Sequence, residues 1–228
     1  MRLASMKGRA KENKHQTQEH SLHFNINYRA EEHDELVAYV LNTLEEALTS
    51  YMEAYGFLPH ASPIDVILYP KETFSEMIVG GPDWAVGLFD GRLRIPIDQS
   101  IIQNSSYDEL DEVLRHELVH ALIAHKNDHR QLPSWLEEGM AQRIACAKQG
   151  CAPYEFSATP GNFLKPIEFT TPFTSYSSQK ARRAYKQSLY LMYSLENQFG
   201  PDVLERLTGQ ITKSRSLSSD DMLKPFNI

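Results

Sequence analysis

Cysteine is nearly missing from this chain of 228 residues. The two that occur, Cys146 and Cys151, are too few for a disulfide framework, and their spacing fits no zinc-finger pattern. They read first as buried or idle thiols and second as a pair bridged in an oxidising compartment. No uninterrupted apolar run approaches the roughly 18 residues a membrane helix needs, so no membrane span is expected. The opening stretch from Met1 to about His20 has Lys, Arg, Gln and His but lacks the apolar core of a secretory signal. It reads as a disordered leader, and the chain as cytoplasmic unless an earlier segment has been removed. A basic surplus is lacking too. With 23 Lys and Arg against 30 Asp and Glu, the net charge is −7, which argues against a phosphate-binding face and excludes nucleic acid as the expected partner.

What is present is ordinary globular composition, 41% hydrophobic and 23% charged, enough for one sizeable core. From Leu22 the apolar residues Leu22, Phe24, Ile26 and Tyr28 alternate with His23, Asn25 and Asn27, the period of a half-buried strand. A helix follows, with Leu36, Val40, Leu44, Leu48 and Tyr51 at three- and four-residue spacing and Gly56 placed to end it. Ile64 to Tyr69 reads as a second strand closed by Pro70. The run Trp84 to Phe89, then Asp90-Gly91, then Arg92 to Ile97 reads as a hairpin with a two-residue turn. Pro96 cannot donate to a ladder, so the second arm is expected at a sheet edge or to end there.

From Ser106 onward the pattern turns helical. Ser106 and Glu109 fit a capping box in front of the apolar stripe Leu110, Val113, Leu114, Leu118, Ala121 and Leu122. Ser134 and Glu137 fit a second capping box just after Pro133. Four prolines between Cys151 and Ser178 mark a long irregular connection. Two helices are then expected, from about Lys180 to Phe199, stopped by Gly200-Pro201, and from Asp202 to about Thr212. The whole is an α+β arrangement: a small mixed sheet with an edge hairpin packed on one helix, then a mostly helical half. Residues 1–20 form the leader, 21–213 one domain and 214–228 a short tail.

The chemistry sits in His116-Glu117-Leu118-Val119-His120. Histidines four apart on a helix project from one face, so both imidazoles can reach one ion. A carboxylate one position after the first histidine can reach a water beside that ion without itself becoming a ligand, which suits a general base. Nine histidines in the chain allow a chance match, but these three polar residues interrupt an apolar stripe, where charge is costly unless matched. An open catalytic site needs a third protein ligand. The candidates are His125, His129, Glu137 and Glu138. A third histidine six residues after His120 is excluded because position 126 is Lys. His125 points away from the His116/His120 face, and His129 falls where the helix has ended. The second capping box would occupy Glu137, which leaves Glu138 as the expected ligand; the alternative for Glu138 is a first-turn acid favoured by the helix dipole.

These residues resemble the gluzincin metallopeptidases, in particular the peptidase MA-like domain, a compact relative of thermolysin and the large zinc aminopeptidases. The resemblance runs from about Leu22 to Thr212. It rests on Arg115-His-Glu-Leu-Val-His-Ala121, on Leu132-Pro-Ser-Trp-Leu-Glu-Glu-Gly-Met-Ala141, and on the order of Leu-Tyr-Pro, Gly-Leu-Phe-Asp-Gly-Arg and Ala184-Tyr185-Lys-Gln-Ser188, which is similar to bacterial members. It implies a zincin-like fold, one Zn2+ held by His116, His120 and Glu138, Glu117 as catalytic base, and hydrolysis of a peptide or protein substrate. The glutamate before glycine, the aminopeptidase ligand, maps to Glu138. The aminopeptidases place an oxyanion-stabilising tyrosine in a Tyr-x-Lys-Gly setting. Here Tyr185 is followed by Lys186 and by Ser188 in place of Gly, so Tyr185 is either that group or a helix-packing aromatic like Tyr190 and Tyr193. The Gly-x-Met-Glu-Asn motif that binds a substrate's terminal amine has no counterpart, which favours internal cleavage or another anchor for that amine. The strand Arg92 to Ile97 is a candidate to receive substrate backbone by β-augmentation. The resemblance also makes the end of the chain early for the family, consistent with truncation. Two rivals stand beside this reading: a non-catalytic peptide-binding module that keeps the fold and its zinc, and a zinc site that only staples the fold.

Overall fold

The computed structural model describes residues 16–29, 34–72, 74, 87–98, 107–128, 132–146, 164–165, 168, 171–211 and 218–223. The chain divides into two compact units, 1–47 with 60–121 and 48–59 with 122–228. It is a mixed α+β protein, and none of its described helices is long and apolar enough to cross a membrane.

The first unit is built on a five-stranded sheet in the order β1-β2-β3-β5-β4. Strand β1 (Gln16–His20) runs antiparallel to β2 (Phe24–Arg29), β2 and β3 (Ile64–Pro70) are parallel, β3 and β5 (Leu93–Ile97) are parallel, and β4 (Leu88–Phe89) is antiparallel to β5. One face of the sheet is apolar: Phe24, Ile26, Val66, Leu68, Leu93 and Ile95 share it through the strand register and are all buried. The crossover between β2 and β3 is helix α1 (Asp34–Tyr55), whose Leu36, Val40, Leu44 and Leu48 are buried as their spacing demands. Gly56 closes it at φ +65°.

Several expectations are corrected here. The leader does not extend to His20, because Gln16 to His20 is a strand; residues 1–15 lie outside the described set. Its polar sequence hid it, since an edge strand exposed at Gln18, Glu19 and His20 is held by its backbone ladder to β2 and needs no apolar period. Leu22, counted in the alternating pattern, instead sits in the β1–β2 turn and is 79% exposed. The hairpin pairs Phe89 with Leu93, so its loop has three residues, Asp90, Gly91 and Arg92, and only Gly91 takes positive φ, at +98°. Among the described residues β4 reaches only Leu93 and Arg94, so β5 is interior at its start, and Pro96 falls beyond that pairing while keeping its place beside Tyr69 of β3.

Helix α2 (Asp108–Lys126) carries the His-Glu-Leu-Val-His segment. The proposed capping residue Ser106 lies outside the described residues. Within the first unit α2 is fastened to α1 by a stack of Tyr39 on Tyr107 (centroids 4.4 Å apart) and by Arg115, buried between Asp111 (2.6 Å) and Glu46 (3.5 Å).

The second unit is helical: α3 (Ser134–Ala145), a 3₁₀ turn at Phe173–Ser175, α4 (Ser178–Phe199), α5 (Val203–Gln210) and α6 (Ser219–Leu223). Helices α3 and α4 pack closely because both present small residues. A Cβ added at Gly139 would lie 2.9 Å from the Ser188 carbonyl oxygen and 3.0 Å from Met192, so only glycine permits this approach. Arg143 completes the contact, 2.9 Å from Glu196 and over the ring of Tyr193. Gly200, at φ +100°, ends α4.

The capping box at Ser134 is not formed. Pro133 is the N-cap, its carbonyl accepts from the N–H groups of Leu136 and Glu137, and no side chain caps the helix. Proline fixes the entry angle, which moves Ser134 one position into the helix. Within the expected tail, Ser219 of α6 accepts from the Trp135 indole N–H at 3.0 Å. Cys146 is disulfide-bonded and no described cysteine is free, which corrects the reading of idle thiols; Cys151 lies outside the described residues. Two cysteines five residues apart can be bridged or reduced alike, so spacing could not decide it.

Candidate metal centre

On α2 the i,i+4 spacing brings the two Nε2 atoms of His116 and His120 to 3.1 Å, with the rings inclined at 72°. Both side chains are half-buried. Nitrogens bound tetrahedrally to zinc at about 2.0–2.1 Å would stand roughly 3.3–3.4 Å apart, so the observed pair is already close to that spacing.

Glu117 is only 6% exposed, and glycine backbone lies against it. A Cβ added at Gly87, just before β4, would stand 2.7 Å from Glu117 Oε1, 2.9 Å from its Cγ and 2.9 Å from Val113 Cγ1. Gly87 therefore bounds the space open to this carboxylate. That residue is a participant the sequence pattern did not single out, although it opens the Gly-Leu-Phe-Asp-Gly-Arg segment.

In the second unit Glu138 lies just past the first turn of α3, in which Glu137 is the acidic residue. Its carboxylate Oε1 accepts from the Tyr185 hydroxyl of α4 at 3.2 Å. Gln142, one turn further along α3, donates through its side-chain amide to the carbonyls of Glu138 (3.1 Å) and Tyr185 (3.0 Å), which ties the two backbones together beside that contact. The Tyr185 ring also meets the edge of buried Phe173, centroids 5.5 Å apart at 75°. The ring thus packs as a helix aromatic does, while the hydroxyl donates to the candidate ligand Glu138. Gln142 and Phe173 carried no motif signal, because their roles arise from helix pairing and from an irregular segment.

Among the described residues, the group of three or more His, Cys, Asp or Glu able to hold a metal is His116, His120 and Glu138, whose ligand atoms all lie within 4.8 Å of one another. Two imidazoles and one carboxylate suit a divalent transition ion such as zinc and leave positions for water or substrate. Of the other candidates, His125 stays in the last turn of α2 and outside the cluster, Glu137 is not in it, and His129 lies outside the described residues. No family model matches the chain, and no curated protein matches it.

Proposed function

We propose that this protein is a zinc-dependent peptidase of the gluzincin type, with a zincin-like fold, that cleaves peptide bonds within a chain. The observation that carries the reading is the convergence of His116, His120 and Glu138 with a buried glutamate, Glu117, directly beside the first histidine. His116, His120 and Glu138 would hold the ion. When bound, zinc supplies Lewis acidity to a scissile carbonyl and acidifies a water molecule.

The chain's own residues do the rest. Glu117, confined by the Gly87 backbone, takes the proton from the attacking water at a carboxylate oxygen and returns it to the leaving amine. Its burial removes competing water from that transfer. Two half-buried imidazoles on one rigid helix keep their nitrogens at fixed spacing, so little side-chain freedom is lost when an ion is held.

The test separates metal holding from catalysis. Glu117→Gln should keep wild-type zinc content and lose about 100-fold to 10,000-fold in kcat on a peptide library, whereas Glu138→Ala should lose the metal itself. A Glu117→Gln protein with full zinc and full activity would exclude Glu117 as the base. A wild-type protein that binds zinc and peptides without cleaving them would be a binding module instead.

A further inference from the structure

The Tyr185 hydroxyl does not stand free to face a substrate oxygen; it is spent on Glu138 Oε1 at 3.2 Å. Two contacts hold it there. Gln142 clamps the carbonyl of Tyr185 to that of Glu138, which fixes the start of the tyrosine side chain relative to α3. Phe173, 2% exposed in its 3₁₀ turn, presses on the ring and is itself stacked on Tyr176, with centroids 6.0 Å apart. The close approach of α3 and α4 at Gly139 makes the reach short enough for a phenol to span.

Resting on the metal-site reading above, we propose that Tyr185 is a positioning residue for the metal ligand Glu138, with Phe173 as its buttress, rather than a group that stabilises charge on the substrate. A carboxylate has two oxygens and several side-chain torsions. A phenol donating to one oxygen limits rotation of the carboxylate and lowers the ordering cost of offering the other to an ion. Outer-shell partners of this kind change metal affinity by about 10- to 100-fold when removed.

The experiment measures the zinc dissociation constant of the full chain by competition with a chromophoric chelator, and kcat at saturating zinc. Tyr185→Phe keeps the ring and its packing on Phe173 and deletes only the hydroxyl. It is expected to raise the zinc Kd by about 10- to 100-fold while kcat at saturating zinc falls much less. Phe173→Leu, which keeps the hydroxyl but loosens the ring, is expected to raise the Kd by a smaller factor. Circular dichroism of the zinc-free variants verifies that each is folded. An unchanged Kd in folded Tyr185→Phe, or in Phe173→Leu if only that variant folds, overturns the proposal. An unchanged Kd with a large loss of kcat assigns the hydroxyl to the substrate and overturns it too. If the wild-type chain binds zinc but cleaves nothing, the peptidase reading falls while the affinity result stands. A wild-type chain without zinc affinity removes both.

Discussion

Glu117 and Glu138 are both glutamates on helices, and both belong to the candidate site, but different features of the two units bound their carboxylates. Glu117, in the first unit, is confined by shape: backbone at Gly87 leaves no room for even one added carbon beside its carboxylate. Glu138, in the second, is held by polar contacts, a phenol on one oxygen and an amide clamp at its backbone. The difference fits the two roles proposed above. A general base has to sit at a fixed distance from the reacting water, and a wall of backbone on one side of the carboxylate limits how far it can stray. A ligand must present one oxygen in a fixed direction, and a donor on the other oxygen does that.

The largest test of this contrast is Gly87→Ala. The new methyl would have to displace Glu117 Oε1 from 2.7 Å, and a shift of the base by about an ångström is expected to reduce kcat on the order of 100-fold with zinc content unchanged. Wild-type turnover in that variant would show that the carboxylate has slack and that shape does not hold it.

On the other side, Gly139→Ala probes the helix pair that brings Tyr185 to Glu138. Alanine gains about 1 kcal/mol of helix propensity over glycine. The clash is with backbone at 2.9 Å, however, and overpacking costs about 1–3 kcal/mol, so urea unfolding should show no gain or a net loss of up to about 2 kcal/mol. A clear increase in stability would mean that α3 and α4 can part freely.

The smallest effect concerns the first unit alone. Burial pushes the Glu45 carboxyl of α1 upward, but hydrogen bonds from the Ser21 hydroxyl (2.6 Å) and from His23 outweigh it and leave the group below its ordinary value of 4.5. A folded-state value below the unfolded one means that this contact stabilises above the ordinary value and is lost as pH falls through the lowered one. Glu45→Gln should therefore flatten the acid limb of Tm against pH below about 4.5 and leave the neutral region nearly parallel to wild type. An unaltered acid limb would remove Glu45 as the pin between the β1–β2 turn and α1.

Periodicity made much of the fold legible. The buried faces of β2, β3, β5 and α1 follow directly from alternation and from three- and four-residue spacing, because burying apolar surface is the dominant favourable term and leaves its period in the chain. Strand β1 was not legible, since backbone pairing at an edge leaves no apolar mark. The capping box at Ser134 failed for a local reason: Pro133 took the cap position and its carbonyl accepted the first N–H groups. Glu138 nevertheless belongs to the cluster, because its place depends on α3 itself and not on how α3 is capped.

By itself the sequence determined that two imidazoles share one helix face with a glutamate between them, because helical geometry fixes neighbours four apart wherever the helix forms. It also determined the turn glycines Gly56, Gly91 and Gly200, whose positive φ no β-carbon favours. Only the tertiary structure decided which glutamate joins those imidazoles, that Gly87 confines Glu117, and that the Tyr185 hydroxyl rests on Glu138. Those three relations link residues 18 or more positions apart, and contacts over such separations are set by how helices and strands pack, which no local spacing encodes.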